Sequence, residues 1–521
     1  MELDLVIERG WIVDGVSPSI YRGTIGISGD KIEYVRPGFS RLPGKRVIDA
    51  SEYCVAPGFI DIHSHADHFL LLDPAMKNKL MQGVTTEIGG NCGSSAYPWN
   101  ESNIFYLPGM EEEFSWTSFG GFLQALEAGG ISINFGSQVG LCSLHGETNG
   151  ALPANGGMKQ MKRILADSLQ EGALGLSAGI GSRPETRLSL SQMAELCGLV
   201  ANEGRVLSVH LNGEGAEILD SLSEAISVSA KSGVSLQISH FKTLDRLNWP
   251  KQQDALELIE KMRAMGIDIN IDCFPYTTCC SPLRVFTPPH MISGGAKFKA
   301  LTQNDDARAE INKYLEMHFP TSESYRAVVV PYLETPDYRD LQGLDLYTAS
   351  GLAGSEPGSL VLDLVIAEGP DRFVYYDCIS ESNARAAIGL DCAMVSSDSF
   401  PTGIPKYFKN SIIHPRTFGA FPEFLCEYVY GNHILTLPEA IKKITSIPAQ
   451  KFGLRGRGVI GEGAFADITI FDPENIHSGA TIADPCNPPS GIEYVIVNGQ
   501  VALEGGRFNE VFAGKVLRGG E

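Results

Sequence analysis

The 521 residues carry 62 acidic against 41 basic side chains, a formal net charge of -21 at pH 7. So acidic a surface is repelled by phosphate backbones and by anionic lipid, which excludes nucleic acid and acidic membrane as partners and leaves solubility as the plain consequence of the charge. At about 100–200 residues per domain the length allows two to four domains, or one barrel with a smaller module.

Met-Glu-Leu-Asp-Leu-Val-Ile-Glu-Arg-Gly10 has no basic region ahead of an apolar core, so no secretory signal is expected. No apolar run approaches the roughly 20 residues that span a bilayer. Eleven cysteines at irregular spacing, none in a CxxC pair, fit reduced thiols in a cytoplasmic protein rather than a disulfide framework or a zinc finger. Residues 2–57 then read as short strands at Leu3–Ile7, Trp11–Val13, Thr24–Ile27, Ile32–Val35, Val47–Ile48 and Cys54–Val55, punctuated by Asp14-Gly15 and Gly29-Asp30. The same texture returns at Ala466–Phe471, Ile492–Asn498 and Gln500–Leu503, with turns at Asn498-Gly499 and Gly505-Gly506. Isolated hairpins are marginal, so the two ends are expected to pack together as one small β-sandwich module, residues 1–57 plus 457–521.

Between them strands alternate with helices. Phe59, Ile60 and Ile62 open a buried strand; a short helix is expected over Asp73–Gln82 and a strand over Val84–Ile88. Gly157–Glu171 is amphipathic, with Met158, Met161, Ile164, Leu165 and Leu169 near helical spacing. Further strands are expected at Val206–His210, Val234–His240, Ile267–Phe274, Phe373–Asp377 and Ala393–Asp398, and helices at Ser191–Asn202, Gly215–Ser232, Lys251–Met265 and Leu437–Phe452. This rhythm predicts an α/β fold, a TIM-like (β/α)8 barrel over residues 58–456 whose active site lies at the carboxyl ends of its strands. Residues 285–365, with Pro288-Pro289, Gly294-Gly295, Pro331, Pro336 and Pro357, break the rhythm and read as a lid insertion on the catalytic face.

The chemistry gathers at strand ends. His63 and His65 follow the first barrel strand and, two residues apart on an extended chain, point the same way. His210 and His240 each close an apolar run, Asp398 closes another, and Cys92 sits in the glycine-rich loop Gly89-Gly-Asn-Cys-Gly93. Four imidazoles, a thiol and a carboxylate suffice for one or two zinc-like ions, with an open position for water. Such an ion acidifies the water and polarises a carbonyl, and Asp398 is the candidate to move the proton to a leaving nitrogen.

At these residues the chain resembles the amidohydrolase superfamily, and within it the D-aminoacylase (N-acyl-D-amino-acid deacylase) family. The resemblance runs from Ala56-Pro-Gly-Phe-Ile-Asp-Ile-His-Ser-His65 through Gln82-Gly-Val-Thr-Thr86, Gly90-Asn-Cys-Gly93, Gly172-Ala-Leu-Gly-Leu-Ser177, Ile238-Ser-His-Phe-Lys242, Phe274-Pro-Tyr276 and Ser396-Ser-Asp398 to His414-Pro-Arg-Thr-Phe-Gly419. It implies a barrel with a β-module built from both chain ends, one metal position lined by His63, His65 and Asp398, and another by Cys92, His210 and His240. It also implies one tightly held Zn2+ with a second, weaker position, and a substrate α-carboxylate held by Lys242, Tyr276 and Arg416. A planar arginine fork beside lysine and tyrosine suits that task. Arg284, at the start of the insertion, is the candidate to read a second, side-chain carboxylate.

The pocket departs from the family's pattern. Asn212 stands where relatives carry arginine, Gly140-Leu-Cys142 where a Gly-His-Gly segment is expected, and Ser182-Arg183 where a tyrosine is usual. Intact ligands with altered pocket residues imply preserved hydrolysis of a C-N amide bond and a changed substrate. The expected partner is therefore a small molecule bearing a carboxylate, with oligomeric state open. A cyclic amide or ureide, as in hydantoinases and dihydroorotases, is the alternative substrate; a non-catalytic binding protein or a structural metal protein on the same fold is the alternative class.

Overall fold

Both chain ends enter one nine-stranded sheet. Leu3–Ile12 pairs antiparallel with Tyr21–Ser28 and parallel with Gly44–Asp49 and Cys54–Pro57, and Lys31–Pro37 extends one edge. From the carboxyl end, Ile468–Phe471 docks antiparallel on Cys54–Pro57 and leads to Ile492–Val497, Gln500–Glu504 and Arg507–Phe508. The computed structural model describes residues 2–67, 69–100, 114–148, 156–179, 188–288, 291, 304–369, 372–400 and 413–520. Leu3–Ile7 and Trp11–Val13, expected as separate strands, merge except for Val13 into the one strand Leu3–Ile12, in which the register shifts between Ile7 and Gly10 and Arg9 takes a left-handed φ of 64°. A bulge of this kind breaks the apolar alternation without ending the strand.

The parallel strands follow one another in chain order. Phe59–Asp61, Val84–Gly89 and Asn134–Ser137 form one sheet; Val139–Gly140, Gly175–Gly179, Val206–His210, Ser235–Ile238, Ile269–Cys273 and Ala393–Val395 form the next. Only Gln138 separates Asn134–Ser137 from Val139–Gly140, so one run of chain serves both sheets. At the other edge Ser64 bridges Ser399 in parallel, Asp398 N donates to His63 O at 2.8 Å and His65 N to Ser399 O at 2.9 Å. The last strand thereby returns to the first.

Helices Leu190–Asn202, Ile218–Ser232 and Lys251–Ala264 alternate with these strands. The first is started by a capping box between Ser189 and Gln192. Their apolar stripes, Leu196 and Val200, Leu222 and Ile226, Leu256 and Ile259, share one core with Leu207, Leu236, Ile238, Ile269 and Ile271. The helix expected over Asp73–Gln82 is confined to Lys77–Leu80, because Met76 takes a left-handed φ of 42° just before it. Leu437–Phe452 divides into Leu437–Lys443 and Ser446–Lys451, broken at Thr445.

Phe373–Asp377 corrects an expectation. It is a strand, but it pairs antiparallel with Thr278–Pro282 and Val328–Val329 rather than joining the parallel succession. Its alternation states that it is a strand and carries no information about its neighbour's direction. The segment between Ile269–Cys273 and Ala393–Val395 also has its own apolar core, including Leu283, Phe286, Ile311, Leu315, Leu346, Val361, Val365 and Val374. No helix among the described residues is long and apolar enough to cross a membrane.

A buried polar knot ties the terminal sheet to the parallel strands. Asp467, 3% exposed, forms an ion pair with buried Arg457 and accepts Asn498 N at 2.8 Å and Asn134 Nδ2 at 3.1 Å. Asn498 Nδ2 in turn donates to Asn134 Oδ1 at 2.7 Å. Removing one partner of a buried pair strands the other charge, so Asp467→Ala should cost about 3–5 kcal/mol of stability. Denaturant midpoints of parent and variant measure this, and a loss below about 1 kcal/mol would show that the knot contributes little.

Candidate metal centre

Six of the expected side chains meet where the parallel strands end. Cys92 Sγ lies 3.3 Å from His63 Nε2 and 3.4 Å from His240 Nε2, and Asp398 Oδ1 lies 3.3 Å from His65 Nε2 and 3.6 Å from His63 Nε2. Among the described residues three groups have ligand spacing: His63, Cys92 and His240; His63, His65 and Asp398; and His210, Glu214 and His240. His63 therefore faces both expected metal positions instead of one. The rings of His210 and His240 meet edge to face, 4.4 Å between centroids.

Local backbone explains how residues so far apart converge. Gln237 shares a strand face with Asp272, to which its amide donates at 2.9 Å, so plain alternation would send His240 to the other face. A left-handed φ of 35° at His240 turns it towards Cys92; Cys92 and Asp398 are left-handed too, at 52° and 45°. Such conformations are costly for non-glycine residues and persist only where the surroundings hold them. Asn91 supplies part of that hold, donating to Ile88 O at 2.9 Å, Ser64 O at 3.3 Å and Ile62 O at 3.4 Å, which laces the Cys92 loop to the His63 segment. Gly179 supplies room: a Cβ there would sit 2.0 Å from the Cys92 carbonyl oxygen.

Charges in the cluster balance one another. Burial works against ionising Cys92, but the imidazoles of His63 and His240 outweigh it and hold the thiol well below its ordinary pKa. Burial likewise opposes protonating His63 and His240; Cys92 with Asp272 lifts the first well above the usual imidazole value, and Cys92 with Glu214 lifts the second to about 9. Asp398 is drawn well below the carboxylate range, against burial, chiefly by Arg416, whose Nη1 lies 3.0 Å from Oδ2. A soft thiolate, imidazoles and a carboxylate at these separations are the donor set zinc prefers.

Glu214 and Asp272 were not singled out in the sequence. Glu214 Oε1 stands 3.1 Å from His240 Nδ1 and 2.5 Å from Lys242 Nζ; Asp272 Oδ1 stands 3.3 Å from His63 Nδ1. Their available signal was weak: a carboxylate inside the strand Ile269-Asn-Ile-Asp-Cys273, and one four residues after His210.

The candidate substrate contacts that can be placed are engaged with other protein groups. Arg416 is buried against Asp398, with its guanidinium carbon 4.6 Å from the Phe274 ring centroid. Lys242 is buried and already paired with Glu214. The Tyr276 hydroxyl approaches Ser478 Oγ at 3.5 Å, and burial beside Glu423 keeps the phenol protonated. Arg284 stands in the turn Leu283–Phe286 with its side chain outside the described residues, as are Ser182 and Arg183. Leu141 and Cys142 are buried behind the Cys92 loop, where Cys142 N donates to Gly93 O at 2.8 Å, and Asn212 reaches Glu224 at 3.4 Å.

A model of the amidohydrolase family matches residues 54–502. The N-acyl-D-glutamate deacylase of Alcaligenes xylosoxydans xylosoxydans is 30% identical over 511 residues, 96% of this chain and 93% of that protein. A D-aminoacylase structure described for its binuclear metal centre has a TM-score of 0.82 at 27% identity, covering 99% of this chain and 100% of the other. The N-acyl-D-glutamate deacylase of Bordetella bronchiseptica, solved with zinc and a phosphonate mimic of the tetrahedral intermediate, has a TM-score of 0.80 at 26% identity, covering 99% of this chain and 100% of the other. The chain belongs to the amidohydrolase family. Within that family its place is among the D-aminoacylases.

Beneath the first two histidines, Lys79, Asp61 and Glu87 form a fully buried charge cluster: Lys79 Nζ lies 2.5 Å from Asp61 and 3.6 Å from Glu87, and Ser64 Oγ donates to Glu87. Burial raises Glu87 from 4.5 to about 7, with Lys79 opposing and Asp61 reinforcing. A carboxyl whose folded pKa is raised holds its proton more tightly when folded, so its contribution is full below about pH 4.5 and lost as pH climbs through about 7. The stability advantage of the parent over Glu87→Gln should shrink across that window. Unfolding midpoints of both proteins at several pH values test this, and a constant difference would contradict it.

Proposed function

We propose that the protein is a zinc-dependent deacylase that hydrolyses an N-acyl-D-amino acid to a carboxylate and the free D-amino acid. The observation that carries this reading is the cluster of Cys92, His63, His65, His240 and Asp398 beside Arg416, in a chain aligned over 96% of its length with an N-acyl-D-glutamate deacylase. On this reading the parallel strands make a (β/α)8 barrel over residues 58–456, carrying a lid insertion, with the β-module from residues 1–57 and 457–521. Eleven cysteines with no disulfide among them support a reducing, cytoplasmic setting.

His63, His65 and Asp398 would hold one ion and Cys92, His210 and His240 another, with His63 able to lean to either. When bound, zinc supplies Lewis acidity that brings the pKa of water to about 7 and polarises a carbonyl. Asp398 takes the proton of the attacking water as the C–O bond forms and delivers it to the amide nitrogen as the C–N bond breaks. Arg416 keeps Asp398 ionised until then and, with Tyr276 and Lys242, receives the α-carboxylate; Glu214 shares the charge of Lys242. Arg284 is the proposed reader of a side-chain carboxylate.

Asp398→Asn should lower kcat by about 10²–10⁴-fold while bound zinc stays near the parent's, since the remaining ligands persist. Activity close to the parent's would remove Asp398 from proton transfer. Turnover of N-acetyl-D-amino acids, including the glutamate and aspartate derivatives, is expected to exceed that of their L-enantiomers, hydantoins and lactams. Turnover of cyclic amides alone would replace the deacylase reading, and no turnover at all, with zinc bound, would favour a binding protein.

A further inference from the structure

Asp272 belongs to neither ligand set, yet it touches three segments that each carry a candidate ligand. It stands on the strand Ile269–Cys273 and is 1% exposed. Its Oδ1 lies 3.3 Å from His63 Nδ1, accepts Ser396 Oγ at 2.7 Å and accepts His240 N at 3.0 Å; its Oδ2 accepts Gln237 Nε2 at 2.9 Å. Ser396 is two residues before Asp398 and Gln237 three before His240, so one carboxylate spans the segments of His63, His240 and Asp398.

The two nitrogens of His63 are thereby distinguished. Nε2 faces Cys92 and Asp398, at 3.3 and 3.6 Å, and is the nitrogen aimed at an ion; Nδ1 faces Asp272. The 3.3 Å approach is an ion-pair contact without the alignment of a hydrogen bond, yet a buried carboxylate there still favours the tautomer with its proton on Nδ1 and so leaves Nε2 free for metal. His63 is also the residue shared by the groups containing Cys92 and Asp398, so its orientation bears on both positions.

We propose that Asp272 is a positioning residue for the metal centre: it fixes Nε2 of His63 as the metal-facing nitrogen and, through His240 N and Ser396, sets the spacing between ligands drawn from three segments. The inference rests on the metal reading above. It differs from a purely structural tie between strands, which would matter equally with and without the ion.

Asp272→Asn keeps the shape and one oxygen acceptor but removes the charge behind His63. The zinc dissociation constant, measured by competition with a chromophoric chelator, is expected to rise about 10–100-fold, while the unfolding midpoint of the zinc-stripped protein changes little. A lowered midpoint with unchanged zinc affinity would make Asp272 structural only and overturn the proposal, as would no change in either. If Asp272→Asn does not fold, Ser396→Ala removes only the hydroxyl that steers the carboxylate. It should weaken zinc binding in the same direction by a smaller factor, and unchanged affinity would overturn the proposal. A parent protein that bound no zinc would instead end the metal reading itself.

Discussion

A thiol, several carboxylates and four imidazoles share a few ångströms of largely buried space, and the structure is arranged around keeping them there. An unpaired ion in such surroundings costs several kcal/mol, so each must have an opposite charge or a donor within reach. Asp398 has Arg416, Glu214 has Lys242, and Cys92 has the imidazoles of His63 and His240. Asp272 completes the set by facing His63 while two hydroxyl or amide side chains and a backbone N–H anchor it. Below, Lys79 does the same for Asp61 and Glu87.

Holding these groups together bends the chain. Cys92, His240 and Asp398 all take left-handed backbone that their side chains disfavour, and all three lie just beyond a parallel strand. Those strands supply the rigidity, since their ladders run on through Ser64, Ser399 and the loop around Gln138. Asn91 and Gly179 act at single points, one by three donated contacts and the other by having no side chain. Strain stored at the mouth is thus offset by regular hydrogen bonding and apolar packing beneath it.

That division of labour explains what could be read from the sequence. His63, His65, Cys92, His210, His240 and Asp398 were legible because ligand-type residues stand out at the ends of apolar runs. Strands and helices such as Val206–His210 and Lys251–Ala264 were legible because their periodicity is local. Asp272 and Glu214 were not, because a carboxylate's value depends on neighbours that only folding supplies. The pairing direction of Phe373–Asp377 was hidden for the same reason, and the bulge at Arg9 disguised one strand as two. The departures at Leu141 and Cys142 read as pocket changes, whereas these side chains are buried behind the Cys92 loop.

The raised pKa values of His63 and His240 and the depressed one of Cys92 describe one physical fact from two sides. Thiol and carboxylates crowd the imidazoles of His63 and His240, so each kind of group favours the charged form of the other. A divalent ion at the same point would satisfy the thiolate and carboxylates more directly, and the imidazoles would then give up those protons and turn their lone pairs to it. Arg416 and Lys242 stand apart from that exchange, because each is paired with a largely buried carboxylate. Their partners, Asp398 and Glu214, also face the candidate ligands His65 and His240, so the charges of Arg416 and Lys242 are coupled to the electrostatics of the centre.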